Sequence, residues 1–222
     1  MSSKPMLISV EGNIATGKST LFEYIKTLGL PIYFVDEPVS EWLQIKDKNN
    51  INALQCFYQD QKRNSFCFQI LAYITRLKKL MDAIKAHPNS IIMSERCIET
   101  DKYVFAKMLY EADYINSIEW ETYNYWYNSF SDVSKVDLIL YINTSPEECY
   151  KRISVRNRTE ETSISLEYLQ QCHLKHEEWL KSCDIPIVNI DGNNMIEDIR
   201  IQVNKIMTEL VSTRSETICT SY

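Results

Sequence analysis

Residues 12–19 read Gly-Asn-Ile-Ala-Thr-Gly-Lys-Ser, a complete phosphate-binding loop of the form G-x-x-x-x-G-K-[ST]. The chain has only four glycines, and two of them, Gly12 and Gly17, fall inside this loop. An apolar run at 6–10 precedes it and helical spacing over 20–28 follows. A strand, a glycine turn and a helix start is the setting in which backbone N–H groups converge on oxyanions. Gly12, Asn13, Ile14, Ala15, Thr16, Gly17, Lys18, Ser19 and Thr20 are therefore the expected triphosphate cradle. Lys18 supplies a point charge to the outer phosphates, and Ser19 offers a hydroxyl to Mg2+.

A loop of this kind needs a parallel sheet to stand on, and the chain supplies one. Apolar runs recur at 6–10, 32–35, 90–94, 136–142 and 185–190, separated by helical patterns. Near-continuous apolar strands alternating with helices imply an α/β fold with a five-stranded parallel sheet covered on both faces. Ligands in such sheets sit beyond the carboxyl ends of the strands. The residues after each run are then the informative ones: 12–19, Asp36-Glu37-Pro38, Glu95-Arg96, Asn143 and Asp191-Gly192.

At 222 residues the length suits one domain, expected over 1–211, with a loose polar tail over 212–222. A net charge of −6 argues against a broad nucleic-acid-binding face. The seven cysteines show no C-x-x-C pair, which suggests reduced thiols. No apolar stretch reaches the length of a membrane span, and the first strand begins too early to follow a targeting segment. A cytoplasmic or nuclear protein is the expectation, with neither nucleic acid nor membrane as partner.

Long helices are expected over 51–86, with an interruption near 60–64, and over 101–130, 146–160 and 165–181. The aromatic stripe of 101–130 reads as core or subunit interface. Arg152, Arg156 and Arg158 form R-x-x-x-R-x-R, followed by Glu160 and Glu161. That pattern is either a solvated helix face laced with ion pairs or a lid closing over a transferring phosphoryl group. Glu37 is either a base for an acceptor hydroxyl or a helix-start acid, and Glu95 a site carboxylate or a surface ion pair.

Blocks further along the chain carry a resemblance. They are E-G-N-I-A-T-G-K-S-T at 11–20, D-E-P-V-S-E-W at 36–42, F-C-F-Q at 66–69, E-R-C-I-E-T-D-K-Y-V-F at 95–105, R-I-S-V-R-N-R-T-E-E at 152–161 and L-E-Y-L-Q-Q-C-H-L-K-H-E-E-W-L at 166–180. In this order they resemble the deoxynucleoside kinase family, on its deoxycytidine and deoxyguanosine kinase branch, from about residue 6 to residue 190. The resemblance implies a P-loop kinase fold with an arginine-bearing lid, and transfer of the γ-phosphoryl of ATP or UTP to the 5′-hydroxyl of a deoxynucleoside, with Mg2+.

It also assigns roles by position. Glu37 matches the general base, and Arg96 its partner orienting the acceptor. Lys18 and Arg152 match groups acting on the phosphates, and Ser19 and Glu95 the Mg2+ partners. Tyr58 and Glu161 match the pair holding the sugar 3′-hydroxyl. Trp42, Leu54, Phe57, Phe68 and Phe105 match the apolar walls, with Phe68 placed to stack on the base and Gln69 to read its edge. Arg152, Arg156 and Arg158 match the lid, Arg156 also lying against the donor base. The helices at 72–86 and 103–130 match those through which relatives pair, so a homodimer is implied.

Arg76 and Asp101 stand where thymidine kinase-like members carry small or apolar residues, and Ala72 matches the small residue of the deoxycytidine kinase pattern. A buried Arg–Asp pair rejects a base that leaves it unpaired. Deoxycytidine and the purine deoxynucleosides are thus the expected acceptors, with thymidine poor. Two departures stand out: Cys97 replaces the usual serine after Glu95-Arg96, and 191–194 matches the donor-base loop of animal enzymes poorly. A nucleoside monophosphate kinase would need a second phosphate site, and no further basic cluster lies beside Glu37. A non-catalytic relative, such as the accessory subunit of respiratory complex I, would be expected to have lost the loop or the base.

Overall fold

The computed structural model describes residues 4–156, 158–161 and 163–219. Five strands form one all-parallel sheet in the order β2-β3-β1-β4-β5: β1 Met6–Glu11, β2 Ile32–Val35, β3 Ile91–Glu95, β4 Leu138–Asn143 and β5 Ile187–Asp191. Each lies within a residue or two of its expected place. β1 is central, with Val10 in register with Glu95 of β3 and Leu140 of β4. The chain therefore reverses direction of strand order at β1, and the loop after it opens onto the crevice where ligands collect.

Ten α-helices accompany the sheet among the described residues: α1 Lys18–Thr27, α2 Val39–Gln44, α3 Ala53–Gln59, α4 Gln61–Ala86, α5 Ile98–Thr100, α6 Lys107–Glu111, α7 Ser117–Ser134, α8 Pro146–Arg156, α9 Leu166–Ser182 and α10 Ile196–Cys219. On one face, Leu21, Phe22 and Ile25 of α1 and Val203 and Met207 of α10 bury against Ile8, Val10, Met93 and Leu140. On the other, Leu80 and Ala83 of α4 and Trp179 and Leu180 of α9 cover Leu7, Ile92 and Ile139. A separate cluster of Trp42, Leu54, Phe57, Phe68, Tyr73 and Tyr123 ties α2, α3, α4 and α7 together beyond the strand ends. Those residues alternate at helical spacing, so each helix turns one apolar stripe inward.

Four helix expectations are corrected. The break in 51–86 is confined to Asp60, whose carboxylate accepts the Arg63 N–H at 3.2 Å and restarts the helix as α4. The single helix expected over 101–130 is divided. Asp101–Ala106 forms a π turn, and residues 112–116 leave the helix, Asp113 taking φ 57°. A capping box between Asn116 and Glu119 then starts α7. The helix expected over 146–160 ends at Arg156, so Arg158 sits outside it and Thr159–Glu161 forms a 3-10 turn. Lastly, α10 runs on to Cys219, into the stretch read as a loose tail. There the Ser212 and Thr213 hydroxyls donate to carbonyls one turn back, and Arg214 donates to the Lys4 carbonyl, tying the helix to the chain just before β1. The rest of that stretch, 220–222, lies outside the described residues. No helix among the described residues is long and apolar enough to cross a membrane.

Candidate active site

A cavity of about 820 Å³ opens at the carboxyl ends of β1, β2 and β3. Of the residues singled out from sequence, Ile14, Ala15, Gly17, Lys18, Ser19, Thr20, Glu37, Trp42, Leu54, Phe57, Tyr58, Phe68, Gln69, Ala72, Arg76, Glu95, Arg96, Asp101, Phe105, Arg152, Arg156, Arg158 and Glu161 line it. Gly12, Asn13 and Thr16 lie behind that surface as the frame of the loop. Gly12 has φ 146°, and a Cβ there would lie 2.6 Å from the Ile142 carbonyl, so only glycine fits. Gly17 caps α1 at φ 98°, again in the left-handed region. The Asn13 amide donates to the Leu169 carbonyl at 2.8 Å, pinning the loop to α9. Lys18 Nζ donates to the Gly12 and Asn13 carbonyls, at 3.0 and 2.5 Å. Burial, with the Arg96 charge beside it, lowers its pKa to about 8.

Just past β2 one carboxylate oxygen is held twice. Glu37 Oε1 accepts from Arg96 Nη1 at 2.7 Å and from Arg76 Nη2 at 3.1 Å. Oε2 has no hydrogen bond among the described residues, and Glu37 lines the cavity. Burial alone would raise this carboxyl, but Arg96, Arg76 and Lys18 outweigh it and hold the pKa at about 2. Arg96 reaches Glu37 from a left-handed backbone position, φ 64°, with its guanidinium 5.1 Å from the Phe105 ring centre and Nη2 donating to the Gly12 carbonyl at 3.3 Å.

Arg76 is shared more widely than its expected pairing with Asp101. Its Nε donates to Asp101 Oδ2 at 2.9 Å and its Nη1 to the Glu95 carbonyl at 2.7 Å, besides the bond to Glu37. Burial would lower the guanidinium pKa, and Asp101 and Glu37 more than offset it, so the group stays charged although only 3 % exposed. The π turn brings Asp101 inward; such turns recur at functional positions. Nearby, the Gln69 Oε1 is buried without a hydrogen-bond partner among the described residues.

The walls are aromatic. Phe57 and Phe68 stack at 4.6 Å and 16°, Trp42 meets Phe68 edge-on at 5.4 Å, and Trp42 Nε1 is anchored on the Thr75 hydroxyl at 2.9 Å. Tyr58 and Tyr168 meet edge-on at 6.4 Å near Glu161. Burial pushes the Glu161 carboxyl up, against the pull of Arg158 at 3.3 Å, and its Oε2 has no hydrogen-bond partner among the described residues.

Ser19 and Glu95 lie side by side, the hydroxyl donating to Oε1 at 2.8 Å. Burial and the Glu37 charge push the Glu95 carboxyl up. One hydroxyl and one carboxylate next to a phosphate cradle fit Mg2+, a hard cation that takes few protein oxygens and completes its shell with phosphate and water.

The lid arginines are not equivalent. Arg152 is tethered, Nη1 to the Thr16 carbonyl at 3.1 Å, Nη2 to the Gly192 carbonyl at 2.9 Å and Nε to Glu148 at 3.1 Å. Arg156 and Arg158 instead converge on Glu161, at 3.8 and 3.3 Å. Sequence reasoning did not single out Glu148, Lys151, Val155 or Tyr168, which also line the cavity. Only Glu148 had a usable signal, its i,i+4 spacing from Arg152. Cys97 faces away, its thiol 3.5 Å from the Thr100 hydroxyl, and no disulfide occurs among the described residues.

A β2-β3-β1-β4-β5 sheet with a phosphate loop after its central strand, an acid–arginine pair across from it and an arginine lid above defines the P-loop kinases as a class. Within that class the comparisons are specific. The deoxynucleoside kinase family profile matches residues 8–214. Over 217 residues the chain is 36% identical to the probable deoxycytidine kinase of Fowlpox virus (strain NVSL), covering 94% of this chain and 88% of the relative. It is 34% identical over 236 residues to deoxycytidine kinase of Homo sapiens, covering 93% and 91%. It is 33% identical over 203 residues to the mitochondrial deoxyguanosine kinase of Xenopus laevis, covering 82% and 77%. The chain belongs to the deoxynucleoside kinase family.

Proposed function

We propose that the protein transfers the γ-phosphoryl of ATP or UTP to the 5′-hydroxyl of deoxycytidine, deoxyadenosine or deoxyguanosine, and serves nucleotide salvage. The observation that carries this reading is the lining of one cavity: it holds Lys18 and Ser19 of the phosphate loop, Glu37 held between Arg96 and Arg76, and Gln69 with the Arg76–Asp101 pair. Phosphates, a hydroxyl and a base edge follow one another in that order in a nucleoside and its donor.

Glu37 is the general base. Its Oε1 is engaged by two arginines, which leaves Oε2 for the 5′-hydroxyl. A carboxylate of pKa about 2 takes the proton late, once the oxygen has begun to bond phosphorus and the hydroxyl has become acidic. That order suits the loose transition state of phosphoryl transfer, in which positioning and charge do most of the work. Arg96 orients Glu37, and Lys18 releases the loop carbonyls to meet the outer phosphates. Arg152, fixed over the loop, and Arg156 and Arg158 from the lid offset charge on the phosphoryl oxygens, with Arg156 also against the donor base. Ser19 and Glu95 would hold Mg2+, which when bound neutralises charge on the donor phosphates.

The acceptor lies between the aromatic walls, its base stacking on Phe68. Tyr58 and Glu161 take the 3′-hydroxyl, a role supported by the unpartnered Glu161 Oε2. Gln69, Arg76 and Asp101 read the base edge, and their bulk and charge beside Ala72 disfavour the thymine methyl. Exposed Ile74 and Met81 on α4 and Tyr125, Trp126 and Val133 on α7 support pairing into a homodimer through these helices. Sedimentation as a monomer at micromolar concentration would contradict it. The compartment is taken to be the cytosol, and residues 1–211 one kinase domain.

The function is tested by incubating the protein with each of the four deoxynucleosides, Mg2+ and ATP or UTP, and quantifying the monophosphates. Formation of the deoxycytidine or purine products well above thymidine product is expected. Comparable turnover of thymidine and deoxycytidine would overturn the base assignment.

A further inference from the structure

A carboxylate at the end of a central strand is out of place in an apolar sheet, yet Glu11 closes β1 and is 0 % exposed. It does not line the cavity. Its Oε1 accepts from the Ser9 hydroxyl and from the Cys97 backbone N–H, the latter at 2.9 Å, while Oε2 is buried with no hydrogen-bond partner among the described residues. One residue earlier, the Val10 carbonyl accepts the Arg96 N–H at 3.1 Å. The two amides of the Arg96–Cys97 turn are therefore tied to consecutive residues of β1. That turn holds Arg96 at φ 64°, a backbone state that side chains with a Cβ rarely keep unless their surroundings impose it. From there the guanidinium reaches both Glu37 and the carbonyl of Gly12, the residue next to Glu11.

We propose that Glu11 is a positioning residue, whose Oε1 locks the Arg96–Cys97 turn and thereby holds the Arg96 guanidinium against Glu37. Cys97 joins the scheme through its backbone amide. The inference rests on the reading of Glu37 and Arg96 as the acceptor-activating pair.

The test is a kinetic double-mutant cycle on the full chain. Glu11→Gln keeps the acceptor oxygen and should retain kcat within about threefold. Glu11→Leu removes it, and Glu11→Asp draws it back; each should lower kcat by about 10- to 100-fold with nucleoside KM changed by less than about threefold. In an Arg96→Ala background the same substitutions should have no further effect, because the group they position is gone. A merely structural role would reduce the active fraction equally in both backgrounds. Should the leucine variant fail to fold, the aspartate variant completes the cycle. Losses that multiply across the two backgrounds, or a Gln variant as impaired as the Asp variant, would overturn the inference. Wild-type protein inactive on all four deoxynucleosides would instead refute the proposed function.

Discussion

Replacing Glu37 by glutamine tests the acceptor end directly, and the structure sets the size of the effect. Glutamine keeps an oxygen where Arg96 and Arg76 now donate at 2.7 and 3.1 Å. It places an NH2 group where the proton of the 5′-hydroxyl would go. That hydroxyl can still accept a hydrogen bond, so nucleoside KM should stay within about threefold. Turnover should not survive: a positioned base contributes about 100- to 10,000-fold, equivalent to about 3–5 kcal/mol of barrier. Stability moves too. Despite burial, the two arginines and Lys18 hold Glu37 at about 2 against an ordinary 4.5. A depressed acid stabilises the fold above its unfolded pKa and loses that contribution as pH falls through the folded value. At pH 7 the term amounts to about 3 kcal/mol. Glutamine forgoes the charge but keeps neutral hydrogen bonds, so the melting temperature should drop by about 4–8 °C at pH 7, with the gap narrowing below pH 4.5. Initial rates with deoxycytidine varied at saturating donor, and thermal melts across pH, read both effects. A variant with kcat within about tenfold of wild type would show that the base lies elsewhere.

Asp101→Ala alone leaves a buried guanidinium short of one partner and should destabilise by about 3 kcal/mol in denaturant melts, while Arg76→Met with Asp101→Ala should recover much of that loss. The double variant should also raise kcat/KM for thymidine by about tenfold or more; no gain would sink the base-reading role of the pair. Glu99 is buried, and burial raises its pKa to about 7 from 4.5, so its share of stability is present below pH 4.5 and is lost as pH rises through about 7. Glu99→Gln should therefore melt higher than wild type at pH 8, by up to about 3 kcal/mol, and match it at pH 4.5; equal curves at both pH values would contradict this. A Cβ at Gly192 would lie 2.0 Å from the Thr144 Oγ1, so Gly192→Ala should cost about 1–3 kcal/mol of stability. By shifting the carbonyl that holds Arg152 it should also raise donor KM, and unchanged donor kinetics would show that the tether is dispensable.

The phosphate loop, the five strands and the residues just past their ends were legible because each is written in a short window. Gly12 marks a backbone with no room for a Cβ and Gly17 a left-handed one that side chains rarely adopt, and near-continuous apolar runs mark buried parallel strands. Helix ends were less legible. The caps at Asp60 and Asn116 are single side chains competing with long aromatic runs, and the π turn at Asp101–Ala106 leaves no trace in periodicity. The residues expected to face the nucleoside were assigned by resemblance rather than by pattern, since Arg76, Asp101 and Gln69 read locally as ordinary helix positions.

By itself, then, the sequence determined a triphosphate-binding parallel α/β fold and, through its ordered blocks, the family. Tertiary structure alone decided that one guanidinium, Arg76, serves Asp101, Glu37 and the Glu95 carbonyl at once. It also decided that Arg152 is bound to the phosphate loop, and that Glu11 braces the turn at Arg96. The physical reason is range. Helix and strand periods and glycine turns act between residues a few positions apart, whereas the Arg76, Arg152 and Glu11 contacts named above join residues 19 to 136 positions apart. Such distances are set only when crossover helices pack on the sheet and bring the strand ends together.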